Sequence, residues 1–183
     1  MTTLVDAWAE LGQRAGGDAV QLIRRLLEAG AAAEEIAEAL AVLVGTHNTA
    51  AAAVAEALAV EQLAAWRAAA PTDSGTGLLG HQLDTDRLRQ AAGTVLERLD
   101  PTDLATVEMS AERLARAEAV KAAQAGYGVT MGRSKGTGGW IRQLESDACQ
   151  LCEWWARDGR VWPADHIMPT HPGCTCAQVF VHK

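Results

Sequence analysis

Five candidate metal ligands crowd into 28 residues near the end of this chain: Cys149 and Cys152 as a Cys-x-x-Cys pair, then His171, Cys174 and Cys176. Nothing else in the sequence constrains the fold so much. Two short ligand groups separated by a loop suit a tetrahedral zinc site, because each group can grip the ion from one turn. Five candidates for four positions leave one spare. The spacing favours Cys149, Cys152 and Cys176 with either His171 or Cys174, and leaves open which residue is redundant.

Other uses of the cysteines fit less well. A disulfide across Cys-x-x-Cys or Cys-x-Cys closes a small strained ring, and no secretory leader or long apolar span is evident, so an unsecreted, non-membrane chain with reduced thiols is expected. A thioredoxin-like pair would open a helix inside a βαβ unit, and no such pattern surrounds Cys149. A Cys-dominated shell closes a zinc ion to water and quenches its Lewis acidity, so the expected role is structural. The last 44 residues hold all four cysteines and Trp140, Trp154, Trp155 and Trp162. With so little aliphatic content, a metal would supply stability that burial cannot, with Trp154, Trp155 and Trp162 as a small core around it.

The rest of the chain reads as helix. Hydrophobic residues make up 49% of the 183, yet only 4% are aromatic; alanine supplies the excess, and it buries little area per residue. Asp18 is a candidate N-cap for a helix through Val20, Ile23, Leu26 and Leu27 that stops at Gly30. Ile36, Leu40, Leu43 and Val44 share a helical face before Gly45, and Thr46 or Asn48 can cap a longer Ala-rich helix through Val54, Leu58 and Trp66 that Pro71 ends. These divisions give a helical region over 1–70, a Gly/Ser linker over 71–84, and a central helical region over 85–125. The last is broken at Asp100-Pro101 and restarts behind Thr102 or Asp103. Six glycines between 126 and 139 predict a second linker, ahead of a Cys/His module over 140–183. Val161-Trp162 and Val179-Phe180-Val181 are its strand candidates. The expected fold is therefore mainly α, with a small Cys/His zinc-binding C-terminal module containing short β-strands.

The net charge of −7 argues against a general nucleic-acid binder. The acidity lies in residues 1–100, with 7 basic against 14 acidic residues, whereas the remainder balances at 9 of each. Asp165-His166-Ile167 followed by Pro169 gives an alternative, an HNH-type metal-dependent nuclease with His166 activating water. Only 17 residues follow His166, no asparagine follows Asn48, and the second cysteine group occupies the place of the nuclease helix. A zinc or redox regulatory module is a further alternative. Gly126-x-Gly128 lacks the strand and Gly-Lys-Ser/Thr of a phosphate loop, and His47 and His81 lack ligand spacing.

The string Arg113-Leu-Ala-Arg116-Ala-Glu118, then Trp140, Cys149-x-x-Cys152, Gly159, Pro169 and His171-Pro172-x-Cys174-x-Cys176, resembles the phage Mu protein F family. These MuF-like proteins are minor head proteins of tailed phages, and the tail of this chain is similar to the actinobacteriophage type. The resemblance covers about residues 111–180 and implies a non-enzymatic virion component inside the phage head near the portal, present in the host cytoplasm during assembly. It implies a role in head assembly and in DNA packaging or ejection. The portal protein is the implied partner, with the major capsid protein, packaged DNA and further copies around the portal ring as additional contacts. Where the family usually has Thr-Glu after its second basic residue, this chain has Ala117-Glu118. Apart from that resemblance, Arg113, Arg116 and Glu118 read as a solvated charge pattern on a helix. Binding of residues 1–100 to the portal is the expectation from helical stripes too narrow to be satisfied internally.

Overall fold

The structure, a computed structural model, describes residues 3–70, 84–97 and 103–183. It is mainly helical: α1 (Leu4–Glu28), α2 (Ala33–Ala65), α3 (Thr85–Leu96), α4 (Leu104–Arg133), strand β1 (Thr137–Gln143), α5 (Gln150–Ala156) and strand β2 (Ala177–His182). Most of the predicted linker over 71–84, His81 and the Asp100-Pro101 break lie outside the described residues.

Local chemistry explains where the helices begin. Thr3 caps α1 in a reciprocal box: its hydroxyl accepts from Asp6 N at 3.1 Å, while Thr3 N donates to the Asp6 carboxylate at 2.9 Å. The Thr3 N–H and hydroxyl, both donating to it, hold the Asp6 carboxyl below its ordinary value. Asp84 caps α3, and Asp103 caps α4 at one of the two positions the sequence offers. The helix α1 does stop at Gly30, where Ala31 N reaches back to Leu26 O at 3.0 Å.

Two predicted helix starts are corrected. α1 runs through Asp18, and α2 runs unbroken through Gly45, Thr46 and Asn48. Asp18 faces His47 across the interface at 3.1 Å, and the Thr46 hydroxyl bonds back to Val42 O within its own helix. Both residues thus spend their polar groups without ending a helix.

The predicted linker over 126–139 is also corrected, since α4 continues to Arg133. The glycines there are contact surfaces. A side chain on Gly126 would come within 3.0 Å of the Ala52 carbonyl of α2, and Gly128 and Gly132 stand against Gln178 and Ala164 O. Tertiary packing therefore overrides the weak helix propensity of glycine.

The core lies between α1, α2 and α4, with α3 laid against α2. Its large members are Trp8, Ile23, Ile36, Leu40, Leu63, Leu88, Tyr127 and Met131, joined by a seam of buried alanines. Glu118, read from sequence as solvated, is buried, and the Arg87 guanidinium grips it with contacts of 2.5 and 3.0 Å. Arg113 stays exposed and Arg116 half-buried.

The strands pair antiparallel, with Trp140 opposite Phe180 and Arg142 opposite Gln178. Strand alternation puts these four on one face, and all four are buried. Trp140, Ala177 and Phe180 join the helical core, so the sheet is seated on the bundle. Of the two predicted strands, 179–181 lies within β2. Trp162 makes an isolated bridge to Trp140, with N–H to O contacts of 2.9 and 2.7 Å.

Candidate metal centre

Three short segments carry the cysteines and His171. Cys149 is the N-cap residue of α5, and Cys152 lies three residues on, in its first turn. His171 and Cys174 are joined by a turn in which Pro172 and Gly173 are the central residues. Gly173 has φ +86°, and Cys174 N donates to His171 O at 3.2 Å. That is the signature of a type II turn, which needs a positive φ at its third position and so explains the Pro-Gly pair. Cys176 follows at the entrance to β2.

All five predicted residues come together. Cys149, Cys152 and His171 form one group, and Cys152, Cys174 and Cys176 a second, with the ligand atoms of each group within 4.8 Å of one another. His171 Nε2 is 3.2 Å from Cys149 Sγ and 3.1 Å from Cys152 Sγ, and Cys152 Sγ is 3.5 Å from Cys174 Sγ. Cys152 belongs to both groups and is the pivot. All four cysteines are free thiols. Cys152, Cys174 and Cys176 are buried, His171 is half-buried and Cys149 is exposed. Such a cluster can hold a metal ion.

Burial pushes the Cys152 thiol up to about 12. The Cys174 thiol is also raised, first by its hydrogen bond to Cys176 and then by burial, and the same bond lowers Cys176 to about 6. Forming a thiolate at Cys152 or Cys174 is therefore unfavourable without a compensating cation.

Sequence reasoning missed the residues that hold the cluster. Arg142, 5% exposed, points Nη1 at Cys152 Sγ (3.7 Å) and Cys174 Sγ (3.9 Å), donates through Nη2 to Pro169 O, and lies 5.2 Å from the Trp155 ring centre. Glu145 accepts from Thr175 N at 3.3 Å and Thr175 Oγ1 at 2.5 Å, and Cys176 Sγ lies 3.7 Å from it. Gln124, on α4, donates to Cys174 O at 3.2 Å and Cys176 O at 2.8 Å, tying the cluster to the bundle. The burial of Arg142 follows from its place on the inward face of β1, which local sequence does not signal.

The expected tryptophan core is corrected. Only Trp155 flanks the cysteines, where its ring also tilts against His171 at 6.1 Å. Trp154 is 63% exposed. Trp162 packs on the helical core and stacks on His166 at 4.6 Å, with rings 10° from parallel. Asp165 and His166 are both exposed.

Among the described residues no helix is long and apolar enough to cross a membrane. In comparisons with known proteins, the chain matches no protein-family model, no curated protein and no solved structure.

Proposed function

We propose that this chain is a structural minor head protein of a tailed phage, in which a zinc ion staples the C-terminal segments to a helical frame that engages the portal. The observation that carries the architectural part is the sulfur-rich cluster, two ligand triads joined at Cys152. Three of its four sulfurs are buried and its donors are thiols with one imidazole. Such a shell suits tetrahedral zinc, saturates it and leaves little room for an activated water. The buried Arg142 beside two of those sulfurs fits a cluster that becomes anionic on binding metal. Zinc would be held by residues drawn from Cys149, Cys152, His171, Cys174 and Cys176 and would supply cross-linking alone.

The phage part is supported by the resemblance to MuF-like proteins over Arg113–Glu118 and the C-terminal Cys/His string. That string coincides with the cluster, and the Arg/Glu string lies on α4, the helix that also carries Gln124. Portal binding is tested by co-expressing the chain with a tailed-phage portal protein from the same genome. Co-purification at a fixed ratio is expected, together with about one zinc per chain by metal analysis. Purification of a metal-free protein with paired disulfides would sink the zinc staple. DNA cleavage that needs a divalent ion and disappears in His166→Ala would replace the architectural role with the nuclease one.

A further inference from the structure

We propose that the loaded centre consists of Cys149, Cys152, Cys174 and His171, with Arg142 as its built-in counter-charge and Cys176 outside the shell. This rests on the zinc reading above and narrows it to one ligand set.

The argument begins with an arginine that should not be buried alone. Guanidinium does not deprotonate in a protein, and an isolated buried charge is strongly unfavourable. Among the described residues no carboxylate lies within ion-pair distance of Arg142. Its surroundings are the Pro169 carbonyl, the face of Trp155 and the sulfurs of Cys152 and Cys174, while its Nε has no partner. A neutral thiol is a weak acceptor and offsets little of that cost. A metal-bound thiolate is a full anion and offsets much more.

Charge then counts the thiolates. Three thiolates and a neutral imidazole around a divalent ion leave one negative charge, which one guanidinium balances. Four thiolates would leave two, one more than a single guanidinium balances. Among the described residues, Arg142 is the cation recorded in contact with these sulfurs.

Charge also chooses between Cys174 and Cys176. Cys174 faces Arg142, whereas Cys176 directs its sulfur at the Glu145 carboxylate, which Thr175 holds in place through its N–H and hydroxyl. A thiolate at Cys176 would confront that carboxylate. Trp155 touches both Arg142 and His171 and thereby fixes the counter-charge relative to the imidazole.

The test uses the full chain, with zinc affinity read by competition against a chromophoric chelator and thiolate number read from sulfur-to-cobalt absorption after cobalt substitution. Cys176→Ser should keep the metal stoichiometry and the full absorption. Cys174→Ser should lose about one third of the absorption, one thiolate in three. Arg142→Gln should weaken zinc binding about 10- to 100-fold, the range for partners of metal ligands, and release metal at a higher pH. Arg142→Lys should recover part of that loss, which separates charge from a folding defect. If Cys176→Ser loses absorption as Cys174→Ser does, or Arg142→Gln binds zinc as tightly as the parent, this assignment is overturned while the zinc reading stands. A parent protein that takes up neither ion overturns both.

Discussion

The bundle and the cysteine cluster hold themselves together by opposite means. In the bundle, stability is spread over many small contributions. Ala15, Ala19, Ala51, Ala55, Ala59, Ala111, Ala115, Ala119, Ala122 and Ala123 are all at most 1% exposed. Each buries only a methyl group, worth on the order of 1 kcal/mol. Long helices with such seams pack closely, and no single alanine is indispensable. The cluster has no such redundancy. Its buried members are Cys152, Cys174 and Cys176, and the apolar groups packed on them are Ala148 and Trp155. Distributed burial tolerates change at any one point, whereas a site cross-linked by metal, as proposed, fails when one ligand goes.

On the proposed zinc reading, the sharpest way to break this contrast is to remove the ion. A chelator strong enough to strip zinc should forfeit an apparent binding free energy on the order of 10 kcal/mol. Amide exchange should then accelerate in α5, at Cys174 and along β2, while α1, α2 and α4 stay protected. Simultaneous melting of the helices would show that Gln124 and the seated sheet merge the two regions into one cooperative unit. Next in size, Trp8→Ala should cost about 3–5 kcal/mol in denaturant unfolding, because its ring fills the bundle core edge-on to Tyr127. Its zinc content should not change.

A smaller effect, about 1–3 kcal/mol, is expected for Gly126→Val, which forces α4 away from the Ala52 carbonyl. Smallest is a pH effect at Tyr127, whose hydroxyl donates to the Gln62 side chain. Burial raises its pKa above the unfolded value of about 10. Its contribution is therefore complete below pH ~10 and lost as pH rises through the folded value. Tyr127→Phe should cost about 1 kcal/mol at neutral pH and make the unfolding midpoint less sensitive above pH ~10.

The same contrast explains what the sequence made legible. The five clustered side chains announced themselves because few residue types bind metal and their spacing is short. The cap at Asp103 was equally local. What escaped depended on distant partners: Gly126 in a helix because α2 lies against it, Glu118 buried because Arg87 reaches it, and Gln124 pointed at two carbonyls some fifty residues on. β1 was missed because three of its seven residues are Thr137, Gly138 and Gly139, a poor strand composition, and its pairing with β2 is entirely non-local. Arg142 went unnoticed with it.

The tryptophans give the two regions separate optical signatures. Trp8 is sealed in the bundle, whereas Trp155 lies against both Arg142 and His171. Indole emission responds to neighbouring charge, so a chain keeping Trp155 as its single tryptophan would brighten or dim as metal enters. One keeping only Trp8 would stay silent until the helices part. The protein carries a paired reporter through which loading and unfolding can be timed independently, without an added dye.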